Sequence, residues 1–203
     1  HYSGGTVLMS TFQEKLNNKL IYLYPLFISI LFLLATPIAV IYTKEWDFFA
    51  NLVRILTSPS KLVTDYFNIG GLGSTLLNAA LCGLACNLIT VVANAKNNRH
   101  ILEGYFLVVA HCFYGLNFLN MWPPFIGVLI YCLVMKKSKR DHLHIAMFST
   151  ALSPFISDFL FYYPPGRSLL ICKFSVLGII LSVIFGITVL CFVVMNIIQK
   201  SNI

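Results

Sequence analysis

The chain has 203 residues, of which 58% are hydrophobic and 10% charged, with a mean hydropathy of +0.82. A soluble domain carries about a quarter charged residues, so this composition argues against a water-covered globule and for a surface that faces lipid. The net charge is +7, from 14 Lys and Arg against 7 Asp and Glu. These cations lie between apolar runs, where they orient a multi-pass protein. No nucleic-acid partner is expected, because no binding motif or base-stacking platform accompanies them.

No Gly/Ser linker or low-complexity tract divides the chain, so residues 9–203 read as one transmembrane domain. Residues 1–8 precede Met9 and read as a tag or an upstream extension outside the fold. The six cysteines, Cys82, Cys86, Cys112, Cys132, Cys172 and Cys191, all lie in apolar stretches without a matching His or Cys pair. They read as small hydrophobes, and no metal site is expected.

The first apolar segment, 20–43, is bounded by Lys19 and Lys44 and is long enough to cross ~30 Å of hydrocarbon. Residues 44–66 mix charges with apolar positions, and the spacing over 48–56 fits a helix lying in the membrane interface. Ser58-Pro59-Ser60 reads as a helix stop followed by a Ser N-cap. The second span, 69–93, opens with Gly70, Gly71 and Gly73 and carries Ser74, Asn78 and Asn87, so it is expected to face protein. A polar loop with Lys96, Arg99 and His100 comes next.

Residues 104–135 are nearly uncharged, but Pro123-Pro124 cuts them near the middle. Charge chooses between a broken span and a chain that turns back. Lys136, Lys137, Lys139 and Arg140 form the densest cationic run and belong on the cytoplasmic side with Arg99. A re-entrant half-helix over 104–120 with a return over 124–135 keeps them there. Such irregular backbone is tolerated at membrane depth only when sheltered by protein or a water-filled cavity. A short segment over 145–161 holds Pro154 and Asp158, 162–166 forms an interfacial aromatic turn, and 169–198 is a last long span. The expected fold is therefore all-α, a polytopic membrane helix bundle with a broken or re-entrant helix at 104–135. It would be a multi-pass protein of the cell membrane with both termini cytoplasmic.

The run PSKLVTDYFNIGGLG from Pro59 to Gly73 resembles a bacterial family of polytopic membrane proteins known only as a domain of unknown function. Two further stretches look like the same family. One is Gly115-Leu116-Asn117-Phe118-Leu119-Asn120 with Trp122-Pro123 and Ile126-Gly127-Val128; the other runs from Ala151 to Ser157. The resemblance implies a transporter-like architecture with an internal duplication. This chain would be roughly its first half, so either a missing second half or a homo-oligomer would complete it.

Seven polar residues mark a candidate substrate pathway: Asp65, Asn68, Asn78, His111, Asn117, Asn120 and Asp158. An ionisable group at membrane depth is costly, of order 2.5–3.5 kcal/mol for Asp, so each needs an account. Asp65 reads as a pore-mouth carboxylate or as a charge complementing a helix dipole. His111, Asn117 and Asn120 adjoin the break and either bind solute or bond neighbouring helices. Ser153-Pro154 with Ser157-Asp158-Phe159 weakly echoes Ser58-Pro59 with Thr64-Asp65-Tyr66. No Ser/His/Asp order, His-Glu-x-x-His or Gly-x-Ser-x-Gly occurs, so no enzyme, catalytic residue or cofactor is expected. An intramembrane enzyme would need a pair such as His111 and Asp158 within hydrogen-bond reach. The leading expectation is a transporter or channel for a small polar solute; the alternative is a non-transporting membrane subunit or scaffold of a larger complex.

Overall fold

The computed structural model describes residues 3–60, 63–95 and 99–161, and every regular element among them is helical. In chain order they are α1 (Ser3–Thr43), α2 (Phe48–Thr57), α3 (Tyr66–Val92), α4 (Arg99–His111), α5 (Trp122–Val134) and α6 (Lys139–Ser149). A 3-10 turn at Thr150–Leu152 then leads into α7 (Pro154–Phe161). The span expected over 169–198 and the aromatic turn at 162–166 lie outside the described residues.

Two helices, Lys19–Thr43 and Tyr66–Val92, are long and apolar enough to cross a membrane. The first buries only a narrow seam of Ile21, Pro25, Ser29, Thr36, Ala39 and Val40, while Phe27, Leu34, Ile38 and Ile41 are 61–69% exposed. Just 22% of its apolar stretch is buried, whereas a helix that is apolar all round in a water-soluble protein sits in the core.

The α1 seam meets small residues of α3. Gly73 lies against Val40 and Gly83 against Ser29 so closely that an added Cβ would sit 2.5 Å from each neighbour. Close backbone approach of this kind is how small residues pack long apolar helices. Tyr105 of α4 joins the same contact, its hydroxyl lying 2.7 Å from Ser29 Oγ and 2.8 Å from the Pro25 carbonyl.

Helix α3 is not one rod. Gly71 takes φ +76°, a conformation that favours glycine, and separates a first turn from the longer stretch beyond. Each part has its own carboxylate cap. Asp65 accepts from the Phe67 and Asn68 amides at 3.0 and 3.3 Å. Glu45, in the turn after α1, accepts from the Leu72 and Gly73 amides at 3.2 and 3.1 Å. The cap of α3 is therefore Asp65 and not Ser60, whose hydroxyl pairs with Thr64 Oγ1 at 2.7 Å. A carboxylate suits this position because it also complements the helix dipole.

Contacts along the helices fix their directions. Helices α1 and α3 run antiparallel, since Tyr22 bonds the Ala95 carbonyl at one end and Glu45 caps Leu72 at the other. Helix α4 starts at the Ala95 end and runs back along α3. Helix α5 reverses again, with the Tyr131 ring 5.8 Å from His142 at the start of α6. The His144 ring lies 5.8 Å from His100, and Gly104 packs on Met147, so α4 and α6 run parallel. Arg99 and the cationic run at 136–140 consequently share one end of the molecule.

Substituting Gly71 tests this frame. Gly71→Ala places a Cβ against the Glu45 carboxylate at a positive φ and should destabilise the protein by about 1–3 kcal/mol. Glu45→Ala, which strands two helix amides, should cost a similar amount. Both are read as lower melting temperatures in detergent, and unchanged melting of Gly71→Ala would contradict the assigned kink.

Candidate functional site

Helix α4 ends at His111, and residues 112–121 form a loop before α5. The half-helix expected to reach 120 thus stops nine residues sooner. Pro123 and Pro124 are not the interruption. They occupy the first turn of α5, where a missing amide donor is harmless. The chain breaks at Gly115, which takes φ +129°, and the asparagines stabilise the turn just beyond it. Asn117 Oδ1 accepts from the Leu119 and Asn120 amides at 2.9 and 3.0 Å, and Asn120 Oδ1 accepts from the Asn117 amide at 2.8 Å. These side chains replace helical backbone partners with a local turn.

The loop is clasped from three directions. Asn78 of α3 donates to the Cys112 and Leu116 carbonyls at 3.2 and 3.0 Å and accepts from the Phe118 amide at 3.1 Å. The segment between α2 and α3 pairs with the loop through backbone bonds, Thr64 to Tyr114 at 3.1 Å and Tyr66 to Phe113 at 3.3 Å. Tyr66 also donates its hydroxyl to the Gly115 carbonyl at 2.8 Å. From α7, Ser157 Oγ accepts from Asn120 Nδ2 at 2.8 Å. Asn117 Nδ2 reaches the Ile55 carbonyl at 3.2 Å and Tyr66 Oη at 3.0 Å, tying α2 to the same knot. Asn78, Asn117, Asn120 and Ser157 are all completely buried.

The other sequence-designated residues are arranged differently. Asp65 and Asn68 are exposed, Asp65 as the α3 cap. His111 is half-buried and its Nδ1 bonds the Leu107 carbonyl at 2.8 Å, one turn back along its own helix. Asp158 is half-buried on α7, and its Oδ1 is enclosed with no hydrogen-bond partner among the described residues, as is Ser153 Oγ. The two segments that echo each other converge on Gly115, where an added Cβ would lie 2.7 Å from Ser60 Oγ and 3.0 Å from Pro154 Cγ. Among the described residues no group of three or more metal-ligating side chains forms. At the basic end, burial pushes the His144 imidazolium down, and the charges of His100 and His142 act in the same direction.

The pattern of a protein family of unknown function (DUF1576) matches residues 44–201, from the end of α1 onward. The chain belongs to this family. No curated protein and no solved structure matches it. Within this DUF1576 chain, sequence reasoning missed Glu45, Tyr66 and Ser157. Ser157 stood in the echoed segment and at the end of the Ala151–Ser157 stretch, without any sign of its partner. Glu45 and Tyr66 gain their roles from partners 27 and 49 residues away.

Because Asn78 serves three loop backbone groups, Asn78→Leu should destabilise the protein by at least about 2–3 kcal/mol through stranded buried groups. The substitution should also open residues 112–121 to limited proteolysis. A variant that melts and resists protease like the wild type would remove Asn78 from the knot.

Proposed function

We propose that this chain is a multi-pass membrane protein of transport type, in which two broken segments meet within the bilayer to form a gate for a small polar solute. The observation that carries this reading is the meeting of two chain reversals at one depth. Thr64 and Tyr66, at the start of α3, pair through their amides with the Tyr114 and Phe113 carbonyls of the loop that follows α4. Along the straight part of α3, at about 1.5 Å per residue, Asn78 lies about 9 Å below Leu72 and about 21 Å above Val92. Those lengths sum to the thickness of a hydrocarbon layer. Discontinuous helices that end inside the bilayer are where transporters bind their cargo. The cationic Ala95 end is the cytoplasmic side on this reading, by the positive-inside rule, and the hairpin α4–loop–α5 is re-entrant from that side. The likeness to a duplicated architecture supports a second, matching half or a second copy as the wall of the route.

Asp158 is the residue we assign to cargo or coupling-ion contact, because its enclosed Oδ1 has no hydrogen-bond partner among the described residues. Asn78, Asn117 and Asn120 have a different duty: their donors and acceptors are taken by the loop and by Ile55, Tyr66 and Ser157 around it, and they set its shape. That full satisfaction favours a second reading, a non-transporting subunit whose knot only stabilises the bundle.

Two measurements separate the readings. In a background without the six native cysteines, Ser157→Cys should react with a membrane-impermeant thiol reagent from at least one face of proteoliposomes. Asp158→Asn should reduce osmotic swelling in small polar solutes by about tenfold or more while leaving the melting temperature unchanged. An introduced thiol shielded from both faces, with no protein-dependent swelling, would establish the scaffold instead.

A further inference from the structure

A hollow distinct from the loop junction lies between α3, α5 and α6 towards the basic end. It is half open to the surface and has a volume of about 470 Å³, within the roughly 300–1,000 Å³ usual for ligand sites. Its walls are apolar, with Ile89 and Val92 from α3, Trp122 and Leu129 from α5, and Leu143 from α6. The charged residue in its lining is Lys139, at the first position of α6.

Among the described residues no salt bridge offsets the charge of Lys139 in this lining. Lys136, Lys137 and Arg140 adjoin Lys139 in sequence, and the ion pair found among the described residues, His100 with Glu103, involves none of these cations. Asp141, in the first turn of α6, is the acid nearest to them in sequence. Ser138 makes no side-chain cap bond, so the first amides of α6 add to the positive field.

An occupant must therefore join a long apolar body to an anionic head. Free phosphate supplies only the head, and a neutral apolar solute only the body. We propose that this hollow binds an anionic phospholipid, with an acyl chain along α5 and the phosphate on Lys139 and its cationic neighbours. Basic pockets between helices at the cytoplasmic face recognise lipid head groups in this way. The site rests on the membrane reading above and on the Ala95 end facing the anionic leaflet. It is independent of whether any solute crosses at the loop junction.

The test is reconstitution of the full chain into nanodiscs of phosphatidylcholine containing a minority of phosphatidylglycerol. Detergent extraction and native mass spectrometry then count the lipids retained. The expected result is retained phosphatidylglycerol in excess of its share of the bilayer. Lys139→Gln should lower that excess about fivefold, the effect of one surface cation on an anionic lipid. Leu129→Trp should displace the lipid by filling the hollow, and Lys44→Gln at the opposite end should change nothing. Each variant is checked by its melting temperature in phosphatidylcholine alone, so that a folding defect is not mistaken for lost binding. A chain that enters nanodiscs but retains the two lipids in bulk proportion overturns the lipid site and leaves the membrane reading standing. In that case the hollow is closed by protein, from this chain or a second copy. A chain that fails to enter nanodiscs overturns both.

Discussion

Every feature around the loop at 112–121 answers one constraint: buried amide and carbonyl groups released from a helix need partners. An unpaired buried group costs about 1–3 kcal/mol, and a loop of ten residues exposes many of them. Asn78 supplies three partners from a single side chain, which is why a polar residue sits completely buried in the middle of an apolar helix. Tyr66, Ser157 and the Ile55 carbonyl complete the enclosure. Three otherwise separate elements, α2, the start of α3 and α7, are thereby fastened to the place where the chain turns round.

The same constraint explains the two ends of the loop. Gly115 permits the turn, and the asparagines at 117 and 120 cap each other's backbone so that α5 can begin. Helix packing around the knot is left to small residues, with Gly83 admitting Ser29 and Tyr105 in one layer. Polar satisfaction and close packing occupy adjacent levels of α3, at Asn78 and Gly83, and together they hold α1, α3 and α4 in register.

Much of the architecture was readable from composition and charge, because both act on whole segments. The apolar runs gave the long helices, and the basic stretches around Arg99 and 136–140 do lie at one end, as their common sign implied. Local detail was less legible. Pro123-Pro124 is a loud helix-breaking signal, yet proline is at ease in a first helical turn, and the real break lies upstream at Gly115. The asparagines could be picked out as buried polar groups, and the turn that Asn117 and Asn120 make with each other is local. The bonds that tie them and Asn78 to other elements, however, reach 34 to 62 positions away and leave no local trace. Glu45 was hidden for the same reason, since it caps a helix that begins 27 residues later. Asp65, by contrast, carried its capping role in its own neighbourhood, two residues before the first amide it accepts.

One consequence of these caps concerns the sign of charge at the junction. A helix start ordinarily attracts anions through its free amides and dipole. Here Asp65 and Glu45 already neutralise both beginnings of α3, and two prolines strip donors from the first turn of α5. A carboxylate or phosphate arriving at the meeting point would therefore find few open donors on these helices. On the transport reading proposed above, with Asp158 Oδ1 enclosed next to Ser157 in the chain, the junction would suit cations and neutral molecules better than anions.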